Sequence, residues 1–392
     1  MHSDQATLPS GGKRPAEPVA PPPQALQALL ARADVRIDGQ RPWDIRVIDP
    51  RFYRRLFTRW TLGVGESYVD GDWECDRLDE LMTRLLRADL EKQALGWSRL
   101  ALWAEGLRHA LLNLQSPRRA YEVAERHYDA GNDVFEAMLD SRMVYSCGYW
   151  QHATTLEQAQ VDKLELICRK LQLRAGERLL DIGCGWGGLA QYAAQHFGVK
   201  VTGITVSREQ LALARSRCAG LPVDLQLRDY RDLRGQFDKV VSVGMFEHVG
   251  PKNHTAFLET VRKLLAPEGL FLLHTIGIDA TAMATDPWID RYVFPNGKLP
   301  SARELAQALD GRMIIEDWHN FGPDYDRTLM SWWRNFDAAW PRLEPRYGPR
   351  FHRLWSYYLL CCAGFFRSRQ GQLWQLVLTH RHRSAPYRSV RP

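Results

Sequence analysis

The stretch "LLDIGCGWGGLA", residues 179–190, limits what this chain can fold into more than any other. An apolar run closes on Asp181, breaks into glycines at 183, 185, 187 and 188, and resumes with a helical pattern. A buried strand feeding a glycine turn and then a helix is the ligand-binding corner of a doubly wound α/β sheet. The flanks repeat the alternation. "LEQAQVDKLELICRKL" predicts a helix, "RLLDIG" a buried strand, "GGLAQYAAQHFG" a helix, "VKVTGIT" a strand and "SREQLALARSRC" a helix. "VDLQLRD", "FDKVVSVG" and "GLFLLHTIG" predict further strands, with a helix at 254–265 between the last two. Such alternation places a mostly parallel sheet between two layers of helices.

The glycine turn admits more than one ligand. Gly183, Gly185 and Gly188 satisfy the G-x-G-x-x-G dinucleotide pattern, which is weak on its own. A nicotinamide dinucleotide needs an acidic residue about 20 positions on, at the end of the second strand. That place reads "GITVS", residues 203–207, without a carboxylate. Asp181 before the glycines, and "RDY" at 228–230 after the third strand, suit S-adenosylmethionine (AdoMet) better. A carboxylate at the turn offsets a sulfonium-bearing zwitterion and would repel a pyrophosphate. Glycines serving only a tight strand-to-helix turn are the bland alternative.

At 392 residues the chain exceeds one ordinary core, so two domains and a tail are expected. "MHSDQATLPSGGKRPAEPVAPPPQ" lacks an apolar signal core, and its composition predicts disorder over 1–24. Residues 25–95 predict a small α+β domain. It holds a short helix, alternating runs at "VRIDG" and "DIRVI", and an amphipathic helix with Leu78, Leu81, Leu85 and Leu86 on one side. Residues 96–120 predict a linker, and 121–392 the catalytic domain. Cysteines at 75, 147, 168, 184, 218, 361 and 362 have neither disulfide-framework nor metal-ligand spacing, so reduced thiols and no metal are expected. The longest apolar stretch, "LWSYYLLCCAGFF", is well short of the roughly 20 residues of a membrane-spanning helix. A net charge of +6 fits either a solvated basic face or a bilayer surface and does not decide between them. No nucleic-acid partner is expected.

Aromatic residues make up 11% of the chain, and "MSWWRNFDAAW" and "LWSYYLL" cluster them beyond the sheet. Most of these side chains belong to amphipathic core helices. Their faces also suit a cation formed when a methyl group is transferred to a carbon–carbon double bond. Such a cation needs water excluded and a base at hand.

In "GESYVDGDWECDRLDEL", "RHYDAGNDVFEAMLD", "MVYSCGYW", "DIGCGWGG", "GITVSREQ", "SVGMFEHVG", "LLHTIG", "FPNGKLPS", "NFGPDYDRTLMSWW" and "CAGFFRSRQGQLWQ", the chain resembles the cyclopropane-fatty-acyl-phospholipid synthases, from about residue 25 to its end. The resemblance implies a seven-stranded class I AdoMet-methyltransferase sheet and methylene transfer to cis double bonds of phospholipid acyl chains. It implies a bound bicarbonate as the base, held by Cys147, Glu247, His274, the backbone at Ile276, and Tyr325. Cys362, on an apolar helix, suits packing as well as function. Tyr145, Ser146, Asp181, Gly183, Gly185, Gly187, Thr205, Gln210, Asp229 and Tyr230 would line the AdoMet site, and "RHYD", Arg126 to Asp129, would be part of a lid. The family further implies a homodimer working on a bilayer surface, hence a cytoplasmic protein on the inner face of a membrane. A related enzyme that leaves a methyl branch, or one that methylates an amine, is the rival reading. Glu247 with His248 could serve an amine directly as an acid–base pair.

Overall fold

A computed structural model describes residues 22–90, 131–282 and 284–391. The expected tail lies almost wholly outside the described residues, and the linker at 96–120 and the "RHYD" segment lie entirely outside them.

The first described segment is mainly helical. Helix α1 (Gln24–Ala31) leads to a two-residue strand, β1 (Arg46–Val47). Helix α2 (Arg51–Val69), strand β2 (Trp73–Glu74) and helix α3 (Leu78–Arg87) follow. Strands β1 and β2 pair antiparallel. The alternating runs form less sheet than expected: "VRIDG" contributes only Ile37, bridged to Ile45 of "DIRVI", and "DIRVI" otherwise contributes only β1. Their apolar members Val35, Ile45 and Val47 are buried against helices instead. Alternation reports a buried side, and here helices supply that side, so a ladder of strands is not required. Helix α2 kinks at Trp60, whose φ is 49°.

From there the chain enters α4 (Asn132–Met138), α5 (Leu156–Lys170), β3 (Arg178–Ile182), α6 (Gly188–Phe197), β4 (Lys200–Thr205) and α7 (Arg208–Arg217). Next come β5 (Val223–Leu227), β6 (Phe237–Val243), α8 (His254–Leu264), β7 (Leu265–Ile278), α9 (Pro287–Tyr292) and α10 (Ala302–Leu309). Strand β8 (Ile314–Asn320), helix α11 (Pro323–Arg367) and strand β9 (Gly371–Thr379) close the order. The sheet has seven strands in the order β5-β4-β3-β6-β7-β9-β8. Pairings from β5 through β7 are parallel, while β9 runs antiparallel to both β7 and β8. The order reverses between β3 and β6, and that switch point is where the ligand crevice of such a sheet opens.

Helix α11 contains both aromatic clusters and changes direction at Gly348, where φ is 71°. It packs against α2, α3, α4 and β9. One apolar cluster accordingly joins Leu26, Phe52 and Leu81 of the N-terminal segment to Phe135, Trp332, Trp355 and Leu373. Among the described residues, no helix is long and apolar enough to cross a membrane.

Candidate functional site

The carboxyl ends of the strands carry the candidate residues to one cavity of about 920 Å³. At the end of β3, Asp181 is buried, and its Oδ2 has no hydrogen-bond partner among the described residues. Burial raises its carboxyl to about 7, and Lys163 opposes that rise. The turn that follows is left-handed at Gly183, Gly185 and Gly187. A Cβ at Gly185 would point into open space, so the demand for glycine there is conformational and leaves the backbone approachable. At the end of β4 the Thr205 hydroxyl donates to Gln210 Oε1 at 3.1 Å, and Ser207 caps α7. After β5, Asp229 accepts three hydrogen bonds from Arg231, while Tyr230 packs edge-on against Phe257. Of these residues, Lys163, Asp181, Gly183, Gly185, Thr205, Ser207, Gln210, Asp229, Tyr230 and Arg231 line the cavity. Gly187, expected there from the sequence, does not, and instead sets the turn ahead of α6 with its left-handed backbone.

An orphaned carboxylate, an open glycine turn and a Thr–Gln pair fit AdoMet. A sulfonium zwitterion bound there would gain a counter-charge at Asp181 and hydrogen-bonding groups at the second and third strand ends.

The opposite side of the crevice is built by β6, β7 and α11. Glu247 lies in a 3-10 turn after β6, and its Oε1 accepts the Ile276 backbone N–H at 2.7 Å. Oε2 is buried without a partner among the described residues. Burial lifts this carboxyl to about 7, with the Ile276 hydrogen bond pulling the other way. His274, on β7, has Nδ1 3.2 Å from Gln375 Nε2, and its Nε2 has no partner among the described residues. Burial holds His274 well below the usual histidine range, and the Lys163 and Lys170 charges add to that effect. Tyr325 of α11 packs at a tilt against Phe366, with ring centroids 4.4 Å apart, and meets Trp332 edge-on. Burial raises its phenol, so the hydroxyl keeps its proton. Glu247, His248, His274, Ile276, Tyr325 and Cys362 share the cavity wall. Burial raises Cys362 to about 12, and the same cause takes His248 down to about 4.

Cys147 is placed differently from these. It is fully buried, its Sγ donates to the Gly148 carbonyl at 3.1 Å, and Thr328 Oγ1 lies 3.8 Å away. It stands behind the cavity wall formed by Tyr145 and Ser146. Burial raises the thiol far above its ordinary value, which leaves a neutral donor and no nucleophile.

Three buried groups around Ser146 and Gly148 escaped the sequence reading. Lys163 donates to Ser146 Oγ at 2.9 Å, and burial lowers its ammonium to about 8. Gln160 donates to the Ser146 carbonyl at 2.9 Å. Thr328 accepts from the Gly148 amide and from Trp150 Nε1. Together they hold the "YSCGYW" loop from α5 and α11. Gln160 and Lys163 fall three apart on one helical face, a weak signal that a polar pair of that type could have given.

The far end of the cavity is apolar. Leu26, Leu30, Phe52, Leu56, Trp60 and Leu85 of the N-terminal segment line it. The cavity thus combines a polar corner at the glycine turn, an aromatic and histidine wall, and a hydrocarbon-like lining from the N-terminal segment. Among the described residues, no cluster of histidine, cysteine and carboxylates could hold a metal ion.

Comparison with known proteins shows the family and the fold. The family model for mycolic acid cyclopropane synthetase matches residues 115–376. The chain is 54% identical over 351 residues to the cyclopropane-fatty-acyl-phospholipid synthase of Escherichia coli, covering 90% of this chain and 91% of that protein. It is 41% identical over 271 residues to a probable fatty acid methyltransferase of Pseudomonas putida, covering 65% of this chain and 68% of the relative. Among solved structures, the mycolic acid cyclopropane synthase CmaA1 with S-adenosylhomocysteine superimposes at a TM-score of 0.62 and 28% identity. It covers 66% of this chain and 97% of its own.

Proposed function

The chain belongs to the cyclopropane synthetase family of AdoMet-dependent transferases, and from that premise we propose that it converts cis double bonds of phospholipid acyl chains into cyclopropane rings at a membrane surface. The carrying observation is the single cavity that joins the AdoMet corner to the apolar end through Glu247, His274 and Tyr325. Asp181, Thr205, Gln210, Asp229 and the turn at Gly183 to Gly187 hold AdoMet, which supplies the methyl group when bound. The electron pair of the double bond would take that methyl as its carbon–sulfur bond breaks, leaving the neutral thioether S-adenosylhomocysteine and a cation on the acyl chain. One proton of the transferred methyl would then leave to a base, and the freed C–H electron pair would close the ring onto the cation. Bicarbonate is that base.

Glu247 and His274 each keep a buried polar atom free for it, Oε2 and Nε2 respectively, and Tyr325 offers a protonated hydroxyl on the same wall. Glu247 Oε2 would orient the anion by accepting a hydrogen bond from its hydroxyl, while Oε1 remains tied to the Ile276 amide. Cys147 supports the loop from behind, its thiol held by the Gly148 carbonyl and Thr328. The rings of Tyr325, Phe366 and Tyr358 present faces that stabilise substrate cation by roughly 0.5–2 kcal/mol each and keep water out. The N-terminal segment guides the acyl chain. Two copies acting as a homodimer on the inner face of the membrane complete the reading.

The mutational test uses Glu247→Gln and Tyr325→Phe. Each variant is expected to bind AdoMet as the parent does in calorimetry and to lose at least about tenfold in turnover. Added bicarbonate is expected to raise the rate of the parent and not that of Glu247→Gln. Full activity of both variants would remove the bicarbonate assignment.

A further inference from the structure

On the proposed reading, His274 must present an N–H to an anion in the cavity, and a neutral imidazole has only one N–H to give. Which nitrogen carries it is fixed from outside the cavity. Strands β7 and β9 pair so that His274 stands directly opposite Gln375, and β8 places His319 on Gln375's other side. Gln375 is fully buried, and its Nε2 lies 3.2 Å from His274 Nδ1. With the amide nitrogen turned toward His274, Nδ1 would be the acceptor and the ring proton would sit on Nε2, and Gln375 Oε1 would be left buried without a partner among the described residues. Nε2 is the nitrogen with no partner among the described residues, on a side chain that lines the cavity.

We propose that Gln375 is a positioning residue that holds His274 in the Nε2–H tautomer and so turns the imidazole into a hydrogen-bond donor facing the reacting centre.

The surroundings support this assignment. Phe321 packs edge-on to His274 at 5.9 Å, so one face of the ring is occupied by an apolar wall and its rotation is limited. Burial opposes a second proton on His274, and the Lys163 and Lys170 charges add to that, which keeps the ring neutral. Lys170 is itself engaged, 3.0 Å from His319 Nδ1 and 3.4 Å from Asp317. A polar layer therefore runs across β7, β9 and β8 beneath the cavity, with Gln375 as its middle member. Were the amide reversed, Oε1 would accept from Nδ1–H, and Nε2 would face an anion lone pair against lone pair, a repulsive contact.

The test is nitrogen-15 NMR of the full chain labelled at histidine, with His274 assigned by its loss in His274→Gln. The expected signature is a proton on Nε2 and an Nδ1 resonance displaced by an accepted hydrogen bond. Gln375→Met keeps the side-chain length and removes the donor. It is expected to move Nδ1 to the position of a free lone pair and to lower kcat about tenfold, with AdoMet affinity unchanged. A proton on Nδ1 in the parent overturns the proposal, as does a Gln375→Met variant with unaltered Nδ1 shift and kcat. Full activity of His274→Gln would instead remove the site reading while leaving the tautomer result standing.

Discussion

Asp181 shows how a single residue links stability to ligand binding. Its carboxyl is buried with one unpartnered oxygen, and burial raises it from the ordinary 3.8 to about 7. Between about pH 4 and 7 the unfolded chain releases a proton that the folded chain keeps, so folding stability declines as pH rises through that window. Asp181→Asn carries no such burden. Above pH 7, without AdoMet, it is expected to exceed the parent in stability by on the order of 1 kcal/mol. The check is melting temperature against pH; parallel curves for the two proteins would contradict it. The variant should also lose AdoMet affinity, because the counter-charge is gone. In the parent, AdoMet affinity should rise with pH through about 7 as the carboxylate forms, and isothermal titration at several pH values would show the slope. Glu247 follows the same physics but has a hydrogen bond from Ile276 to hold it.

Helix α11 carries the argument at the next scale. Both aromatic clusters that the sequence places on helices lie within it, and its turn at Gly348 sends them back past each other. A Cβ at Gly348 would meet nothing within 4 Å, so the glycine is required for its positive φ and not for space. Gly348→Ala is expected to cost about 1–2 kcal/mol, read as a lower melting temperature with no change in AdoMet affinity. A neutral substitution would mean that the turn has another supported conformation. The strands at the sheet's centre were legible because each is an apolar run bounded by turn residues. Strand β9 was missed because "GQLWQLVLT" is almost entirely buried and so has no alternation to mark it as a strand. The N-terminal alternations promised more sheet than forms, since helices cover the buried side of Val35 and Ile45. For the site, Asp181 and the glycine turn were readable from local order alone. Lys163, Gln160, Thr328 and Gln375 were not, because their meaning lies in partners 14 to 181 residues away that only the fold assembles.

At the scale of the molecule, the N-terminal segment and the catalytic sheet share one apolar cluster and one cavity. A chain that only methylated a small amine would have no use for a hydrocarbon-like extension walled by Leu26, Leu30, Phe52 and Leu56. Leu56→Asp places a carboxylate in that wall. It is expected to abolish turnover on phospholipid vesicles while AdoMet binds within about twofold of the parent, since the two ends of the cavity are built from separate elements. Retained vesicle turnover would take the acyl chain out of this end. The most direct test of the whole account supplies AdoMet with a fully deuterated methyl group, together with bicarbonate and vesicles of a cis-monounsaturated phospholipid, and weighs the recovered acyl chains. The account predicts a cyclopropane product that retains two deuterons and has lost the third. A methyl-branched chain retaining all three, or unaltered lipid with AdoMet consumed on another acceptor, would contradict it.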